Sequence, residues 1–268
     1  TYVNRLPDPV LQQVEHFGNP SISVNDSFKP VCRFWDRISH PAQILSSLPQ
    51  AIATMLDPAD CGPAFIGLPQ DTQELAYNYP EAFFEERTWT ISRPRPSRDQ
   101  VTAAVALLKT AKKPLIISGG GVRYSGAGDT LAKFAEAHGI PMAETIAGKG
   151  AVVHDNSVYV GTLGIEGTDA AMNLALDADV VVAVGTRLQD FTTGSWTTFA
   201  QDSKFISINA ARYDAIKHKS LPVVGDAMES LIELDLALGD WTCGADRMDQ
   251  ARKLYANWNK ALDEGQAP

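Results

Sequence analysis

Short apolar runs alternate with amphipathic stretches through the second half of the chain. Runs of this kind are typical of parallel strands, because crossover helices cover both faces of a parallel sheet. The pattern predicts an α/β fold over residues 98–240, a doubly wound, six-stranded, Rossmann-like parallel sheet. Its strands are predicted at 114–118 (PLIIS), 140–144 (IPMAE), 158–161 (VYVG), 179–185 (DVVVAVG), 204–209 (KFISIN) and 221–225 (LPVVG).

Capping signals predict the helices that connect these strands. The capping box SRDQ at 97–100 begins the first helix, and a helix around 129–138 ends at Gly139. Further helices are predicted to start at Thr168, at Asp226 with Glu229 completing a second capping box, and at 246 for an amphipathic helix that runs to 262.

The first 76 residues have a less regular pattern. GPAFIGLP at 62–69 predicts one short buried strand, and Ser46 or Ser47 is predicted to cap a helix with Pro49 in its first turn. Since one strand and one helix do not make a domain, we expect residues 1–76 to be the C-terminal part of a truncated α/β domain. The proline-rich segment 77–97 is predicted to be a linker.

Composition narrows the classes of function. The net charge of −9 argues against nucleic acid or an anionic membrane surface as a partner, because both require a basic face. The three cysteines lack CxxC spacing, which favours free thiols in a reducing cytoplasm. The five histidines show no metal-ligand spacing, so no metal site is predicted. We therefore expect the ligand to be a small molecule.

Four glycine-rich loops follow predicted strands, at 119–128, 144–151, 161–168 and 185–196. In an open parallel sheet, ligands collect at the carboxyl ends of the strands, and glycine lets the backbone approach them closely. These loops therefore predict a cofactor-binding edge, which we call the glycine-rich edge. Its candidate residues are Gly119, Gly120, Gly121, Gly148, Gly161, Gly164, Gly167 and Arg187.

The dinucleotide fingerprint is incomplete in these loops. Gly119 and Gly121 have the GxG spacing, but Tyr124 occupies the third glycine position. No P-loop occurs, since Gly148-Lys149 is followed by Gly150. Three interpretations of these loops remain open: they bind a cofactor, they bind NAD in the standard manner, or their glycines only form tight turns. Arg187 could pair with a phosphate or with Asp190. Lys149 could face an anion or solvent. Glu166 and Asp190 could be solvated carboxylates or helix caps.

The order of these loops resembles thiamine-diphosphate-dependent enzymes of the acetohydroxyacid synthase type. The similar segments are GPAFIGLPQD, KPLIISGGGV, GTLGIEGTDAAMNLALDADVVVAVGTRLQDFTTG and ISINAARYDAIKH. The resemblance implies that 1–76 is the C-terminal part of the pyrimidine-binding domain and 98–240 the central domain. It also implies that 241–268 forms a helix and linker towards a missing diphosphate-binding domain.

Within this family, the first 44 residues are most similar to the branch that hydrolyses a carbon–carbon bond of a cyclic 1,2-diketone in inositol degradation. The resemblance implies a full-length enzyme with thiamine diphosphate as electron sink and Mg²⁺, assembled as a homodimer or homotetramer. A carboligase of the acetohydroxyacid synthase type and a stand-alone nucleotide-binding module remain alternatives.

The departures from the family pattern concern the cofactors. The activating glutamate of the family lies upstream of this sequence, and the GDG motif with paired asparagines is missing, since Gly225-Asp226 is followed by Ala227. Thiamine diphosphate and Mg²⁺ are therefore not expected to bind this chain alone, no catalytic residue is assigned, and the isolated chain is expected to be inactive. FAD is not expected, because Asn209 and Ala210 stand where flavin-binding relatives have Asp-x-Asp.

Overall fold

The computed structural model describes residues 22–266, and the chain divides into two compact units between Ser92 and Arg93. The part of the predicted truncated domain before Ile22 lies outside the described residues. So do the last two residues of the chain.

The first unit contains a two-stranded parallel sheet. Its elements are a 3₁₀ helix Val24–Val31, β1 Phe34–Arg37, a 3₁₀ turn Pro41–Gln43, α1 Ile44–Met55, β2 Ala64–Gly67, α2 Gln70–Gln73 and a 3₁₀ turn Glu81–Phe84. Strand β2 confirms the position of the strand predicted at 62–69, but only Gly67 of its four residues is buried. Strand β1 pairs with it from Phe34 opposite Ala64, and it was not predicted because two of its four residues are charged.

The predicted start of α1 was wrong. His40 caps the 3₁₀ turn Pro41–Gln43, and α1 continues from that turn at Ile44, so Pro49 lies beyond the first helical turn. Ser47 is buried inside the helix, where its hydroxyl donates a hydrogen bond to the carboxylate of Asp36 in β1. Ser47 therefore connects the helix to the strand. The hydroxyl that the local sequence suggested as a helix cap makes a tertiary contact instead.

The second unit is built around one parallel sheet with the strand order β5-β4-β3-β6-β7-β8. All six predicted strands are confirmed to within two residues at each end. They are β3 Pro114–Ser118, β4 Met142–Glu144, β5 Tyr159–Thr162, β6 Val180–Val184, β7 Lys204–Asn209 and β8 Leu221–Val224. The helices are α3 Arg98–Leu108, α4 Gly120–Ser125, α5 Gly128–His138, α6 Asp169–Leu176, α7 Asp190–Thr193, α8 Arg212–Ile216, α9 Ala227–Leu238 and α10 Ala245–Gln266, with 3₁₀ turns Ile146–Gly148 and Lys217–Lys219.

Both faces of this sheet are buried, because alternate side chains of each strand point to opposite faces. On one face Ile116, Val182 and Ile206 pack with α3, α5 and α9. On the other face Leu115 and Val181 pack with α6 and with Ala251 of α10. The sheet is therefore doubly wound, as the continuous apolar runs predict.

Two of the three N-caps predicted for the second unit are confirmed in full. Ser97 and Gln100 form the reciprocal capping box of α3, and Thr168 caps α6. Asp226 caps α9 through its carboxylate, which accepts hydrogen bonds from the backbone N–H groups of Met228 and Glu229.

The predicted capping box at α9 was nevertheless wrong. The backbone N–H of Asp226 donates to the carbonyl of Pro94 at 2.7 Å instead of to Glu229. Glu229 pairs with the Nε of Arg95 at 2.8 Å, and Arg93 lies 3.0 Å from the carboxylate of Asp226. The segment before α3 is thus fastened to the start of α9, an arrangement between residues about 130 positions apart that no local pattern predicts.

Helix α10 is four residues longer at its C-terminal end than predicted, and a buried arginine fastens its first turn. Arg247 donates through Nε to the carbonyl of Pro114 at 3.1 Å and through Nη2 to that of Leu174 at 3.0 Å. Its Nη1 lies 3.5 Å from the carboxylate of Asp177, which also forms an ion pair with the Nζ of Lys113 at 2.5 Å. Among residues 22–266, no helix is both long and apolar enough to cross a bilayer.

Asp177 makes the stability of this unit dependent on pH. Burial opposes ionisation, but hydrogen bonds from Lys113 and Gln250 and the charges of Lys113 and Arg247 outweigh it, so the pKa of Asp177 is lowered. A carboxylate with a lowered folded-state pKa stabilises the fold above its unfolded-state pKa of about 3.9, and this contribution is lost as the pH falls through the folded-state value. We expect Asp177→Asn to reduce the free energy of unfolding at pH 7 by on the order of 1 kcal/mol, a modest value because the carboxylate is partly exposed.

Urea unfolding between pH 3 and pH 7 checks this prediction, and the difference from the wild type should shrink below about pH 4. Asp249→Asn is the control, since that carboxylate is 71 % exposed and meets Arg252 only at 3.5 Å. A loss that is equally large at both ends of the pH range would contradict the assigned role.

Candidate functional site

The four glycine-rich loops lie side by side at the carboxyl edge of the sheet. They follow β3, β4, β5 and β6, which are neighbours in the strand order. Backbone hydrogen bonds join the loops: Gly121 donates to the carbonyl of Gly185 at 2.8 Å, and Ile165 donates to that of Phe191 at 3.0 Å. The glycine-rich edge is therefore one continuous hydrogen-bonded surface.

Close packing within the protein accounts for most of the predicted glycines. At six of the seven positions, a Cβ atom would approach neighbouring protein atoms within 3 Å. At Gly121 the nearest atom is the Cα of Gly185, at 2.6 Å. Only Gly120 has more room, with its nearest neighbour, the carbonyl oxygen of Ala147, at 3.3 Å. The six crowded positions are Gly119, Gly121, Gly148, Gly161, Gly164 and Gly167.

The first of these segments is not a loop throughout, so this part of the prediction was wrong. Residues 120–125 form the short helix α4, which ends at Gly126 with φ of 70°. Gly128 begins the next helix, α5. Two glycines thus mark helix boundaries, where a left-handed residue ends one helix and the chain turns into the next.

The polar groups predicted for this edge have different surroundings. Arg187 is exposed, and within residues 22–266 it forms neither a hydrogen bond nor an ion pair. The alternative pairing with Asp190 is absent among these residues, since the carboxylate of Asp190 accepts from the hydroxyl of Ser195 at 2.7 Å. Glu166 is exposed. Arg187 is thus an exposed cation at the end of β6.

Lys149 lies beside a buried carboxylate that the sequence analysis missed. Glu144, at the end of β4, is 2 % exposed, and the Nζ of Lys149 lies 3.8 Å from its Oε1. Tyr159 donates its hydroxyl to the same oxygen at 2.5 Å, and the backbone of Gly150 donates to Oε2 at 2.9 Å. Burial, the hydrogen bond to Glu144 and the charge of Glu144 raise the pKa of Tyr159. Glu144 therefore holds the 145–150 loop against the edge strand β5.

The only signal for this carboxylate in the sequence is an acidic residue that ends an apolar run. Such a residue is also common where a strand leaves the core for solvent. The tyrosine that stabilises it lies 15 positions away, so the pair becomes visible only in the fold.

The residues present do not fit a Mg²⁺–diphosphate site. The carboxylate of Asp226 accepts from Ser125 at 2.6 Å and pairs with Arg93, in addition to capping α9. The amide of Asn209 is also used internally, since it donates to the carbonyl of Thr186 at 3.3 Å and accepts from the backbone of Ala211 at 2.9 Å. In the described part of the chain, no group of three or more His, Cys, Asp or Glu side chains could hold a metal ion.

The sequence of this second unit matches a known family. Residues 101–234 match the family model described as "Thiamine pyrophosphate enzyme, central domain". The chain therefore belongs to the thiamine pyrophosphate enzyme family, and the resemblance stated from its motifs is confirmed.

Several of the proteins that are similar to this chain share the same name. The chain is 41 % identical over 263 residues to the "3D-(3,5/4)-trihydroxycyclohexane-1,2-dione hydrolase" of Geobacillus thermodenitrificans, covering 98 % of this chain and 40 % of that protein. The protein of the same name from Bacillus subtilis is 46 % identical over 235 residues, covering 87 % of this chain and 37 % of its own length. The chain thus spans about two fifths of the length of these relatives.

The contact between Gly121 and Gly185 can be tested by adding one methyl group. In an exposed helix, glycine to alanine is stabilising by about 0.5–1 kcal/mol. At Gly121 the new Cβ would lie 2.6 Å from the Cα of Gly185, so the clash should dominate. We expect Gly121→Ala to lower the free energy of unfolding by about 1–3 kcal/mol, measured by urea unfolding.

The matched control is Gly265→Ala in α10, where no protein atom lies within 4 Å of the added Cβ. That variant should be as stable as the wild type or slightly more stable. If Gly121→Ala is also tolerated, close loop packing is not the reason for glycine at this position.

Proposed function

We propose that this chain is the central portion of a hydrolase that opens the ring of trihydroxycyclohexane-1,2-dione by cleaving a carbon–carbon bond in inositol degradation. The observation that carries the proposal is the similarity to the relatives of that name, which extends over up to 98 % of this chain at 41–46 % identity. The family match and the parallel sheet support the same class of enzyme.

Within that enzyme, we assign this chain the part of a scaffold. Residues 1–76 would be the end of the pyrimidine-binding domain, 77–97 a linker, 98–240 the central domain and 241–268 the connection to the diphosphate-binding domain. The internal bonds of Asp226 support this division, because a carboxylate committed to Ser125, Arg93 and a helix cap is not available to Mg²⁺. Thiamine diphosphate and Mg²⁺ would then be held by protein outside these residues.

The glycine-rich edge, in this proposal, is a packing surface that has lost a flavin. The crowding around six of its glycines supports this, as does the internal use of Asn209 at the end of β7. Arg187 remains the best-placed residue of the edge to meet an anion, since it is an exposed cation. Gly120 is the predicted glycine with the most space for a ligand beside it.

We extend two further properties of the family resemblance to the whole protein. It would be a cytoplasmic enzyme that assembles as a homodimer or homotetramer. The free state of Cys32, Cys61 and Cys243 in the structure supports a reducing compartment.

The activity is tested on the natural polypeptide that contains these 268 residues, purified whole. With thiamine diphosphate and Mg²⁺ present, we expect ring opening of the cyclic dione and no formation of acetolactate from pyruvate, both followed by mass spectrometry of the products. Acetolactate formation without dione hydrolysis would instead identify a carboligase.

A separate measurement tests the scaffold role of this chain. We expect isothermal titration of the isolated 268-residue chain with thiamine diphosphate and Mg²⁺ to show no saturable binding, and the purified chain to lack flavin absorbance. The whole polypeptide serves as the positive control for cofactor binding. Micromolar affinity for the cofactor in the isolated chain would overturn the proposed division of roles.

A further inference from the structure

A cavity lies at the amino edge of the sheet, opposite the edge at which the glycine-rich loops begin. It has a volume of about 540 Å³, and its lining includes the residues at which β7 and β8 begin, Lys204 and Leu221. Ligands of parallel sheets usually bind at the carboxyl edge, so neither the strand pattern nor the glycine loops pointed to this place. We call it the amino-edge pocket.

Aromatic rings form much of the wall of the amino-edge pocket. Phe199 and Phe205 are 5 % and 9 % exposed, and their ring centroids lie 5.1 Å apart. Trp196 contacts both of them, with its centroid 6.0 Å from Phe199 and 5.4 Å from Phe205. Trp196 keeps 37 % of its surface exposed, so part of this aromatic cluster faces the open space. Such a wall suits a flat, apolar ring.

The charged residues that line the pocket are basic. They are Lys204 and Lys219, and no acidic residue lines the pocket. His218 also lines it, but burial and the charge of Lys217 lower the pKa of its imidazole, which favours the neutral form. Across the described residues, neither lysine forms an ion pair. The whole chain has a net charge of −9, so a pocket lined with unpaired lysines differs from the average surface. This local charge favours an anionic ligand.

The backbone on two sides of the pocket is held in an unfavourable conformation. Ser195 and Trp196 have φ of 53° and 66°, and His218 and Lys219 have φ of 59° and 57°. These are four of the five non-glycine residues with positive φ in the described part of the chain. Left-handed conformations are costly for such residues and cluster at binding sites, where the surrounding structure enforces them.

The two strained segments meet across the pocket. The ring of His218 lies 4.4 Å from that of Trp196, centroid to centroid. The strained conformation thus places an imidazole and an indole together, with Lys219 directly after the histidine. This arrangement brings planar rings and a positive charge to one opening.

We propose that the amino-edge pocket binds a small organic anion with a planar ring, stacked on Trp196 and paired with Lys204 and Lys219. Aromatic carboxylates and nucleoside monophosphates share this chemistry. The proposal does not rest on the proposed hydrolase activity, because the strand residues that line the pocket, Lys204, Phe205 and Leu221, lie at the amino edge of the sheet. Trp196 reaches the pocket from the last position of the 185–196 loop.

Isothermal titration of the 268-residue chain tests the proposal, with AMP and benzoate as the two anionic probes. Adenosine and benzamide are their neutral counterparts, and inorganic phosphate is an anion without a ring. We expect AMP or benzoate to bind at least tenfold more tightly than its neutral counterpart and than phosphate. The preferred anion distinguishes a nucleotide site from a carboxylate site.

Substitutions then locate the binding. Replacing both lysines, Lys204→Met with Lys219→Met, should weaken the preferred anion at least tenfold, whereas Lys133→Met with Lys253→Met, at exposed lysines on α5 and α10, should leave its affinity unchanged. Trp196→Phe should retain most of the affinity and Trp196→Leu should lose it, with thermal unfolding used to confirm that each variant is folded.

Three results would overturn the proposal. One is the absence of binding by both anions, another is equal affinity for the neutral counterparts, and the third is an equal loss of affinity in the control lysine variant. Each would show that the aromatic wall and the two lysines do not form a site for an anionic ring.

Discussion

The close approach of the backbone at Gly121 to that at Gly185 is the contact on which the carboxyl edge depends. The two segments follow the central strands β3 and β6, and the hydrogen bond between them is 2.8 Å long. A side chain at either position would separate them, since the hypothetical Cβ of Gly121 lies 2.6 Å from the Cα of Gly185. The neighbouring loops are fastened to these segments, so the geometry of the whole edge follows from this contact.

The sequence predicted the second unit well because its strands are continuous apolar runs and its helices carry local caps, such as Ser97 and Thr168. It failed where distant residues decide the structure. Strand β1 contains two charged residues, and Asp36 is tolerated there because Ser47 of α1 donates to it. Glu144 has its partner Tyr159 in the next strand. The glycines were located correctly in the sequence, but their crowding by other loops depends on tertiary contacts that no spacing contains.

Three polar side chains of the second unit are used within the protein. Asp226 fastens the segment before α3 to α9, Asn209 stabilises the end of β7, and Arg247 holds α10 to β3 and α6. Side chains committed in this way connect separate elements of the unit and are not available to a ligand. Among the described residues, exposed cations without an ion pair lie at both edges of the sheet, including Arg187 at one edge and Lys204 and Lys219 at the other.

The crowding of the glycines also affects how such proteins diverge. A residue required by a ligand is released from selection once the ligand is no longer used. A glycine required by neighbouring backbone stays under selection for as long as the chain has to fold. Six of the seven candidate glycines are of the second kind, so their pattern can persist in a lineage long after any coenzyme has been abandoned. A glycine signature of this kind is therefore not by itself evidence of present ligand binding.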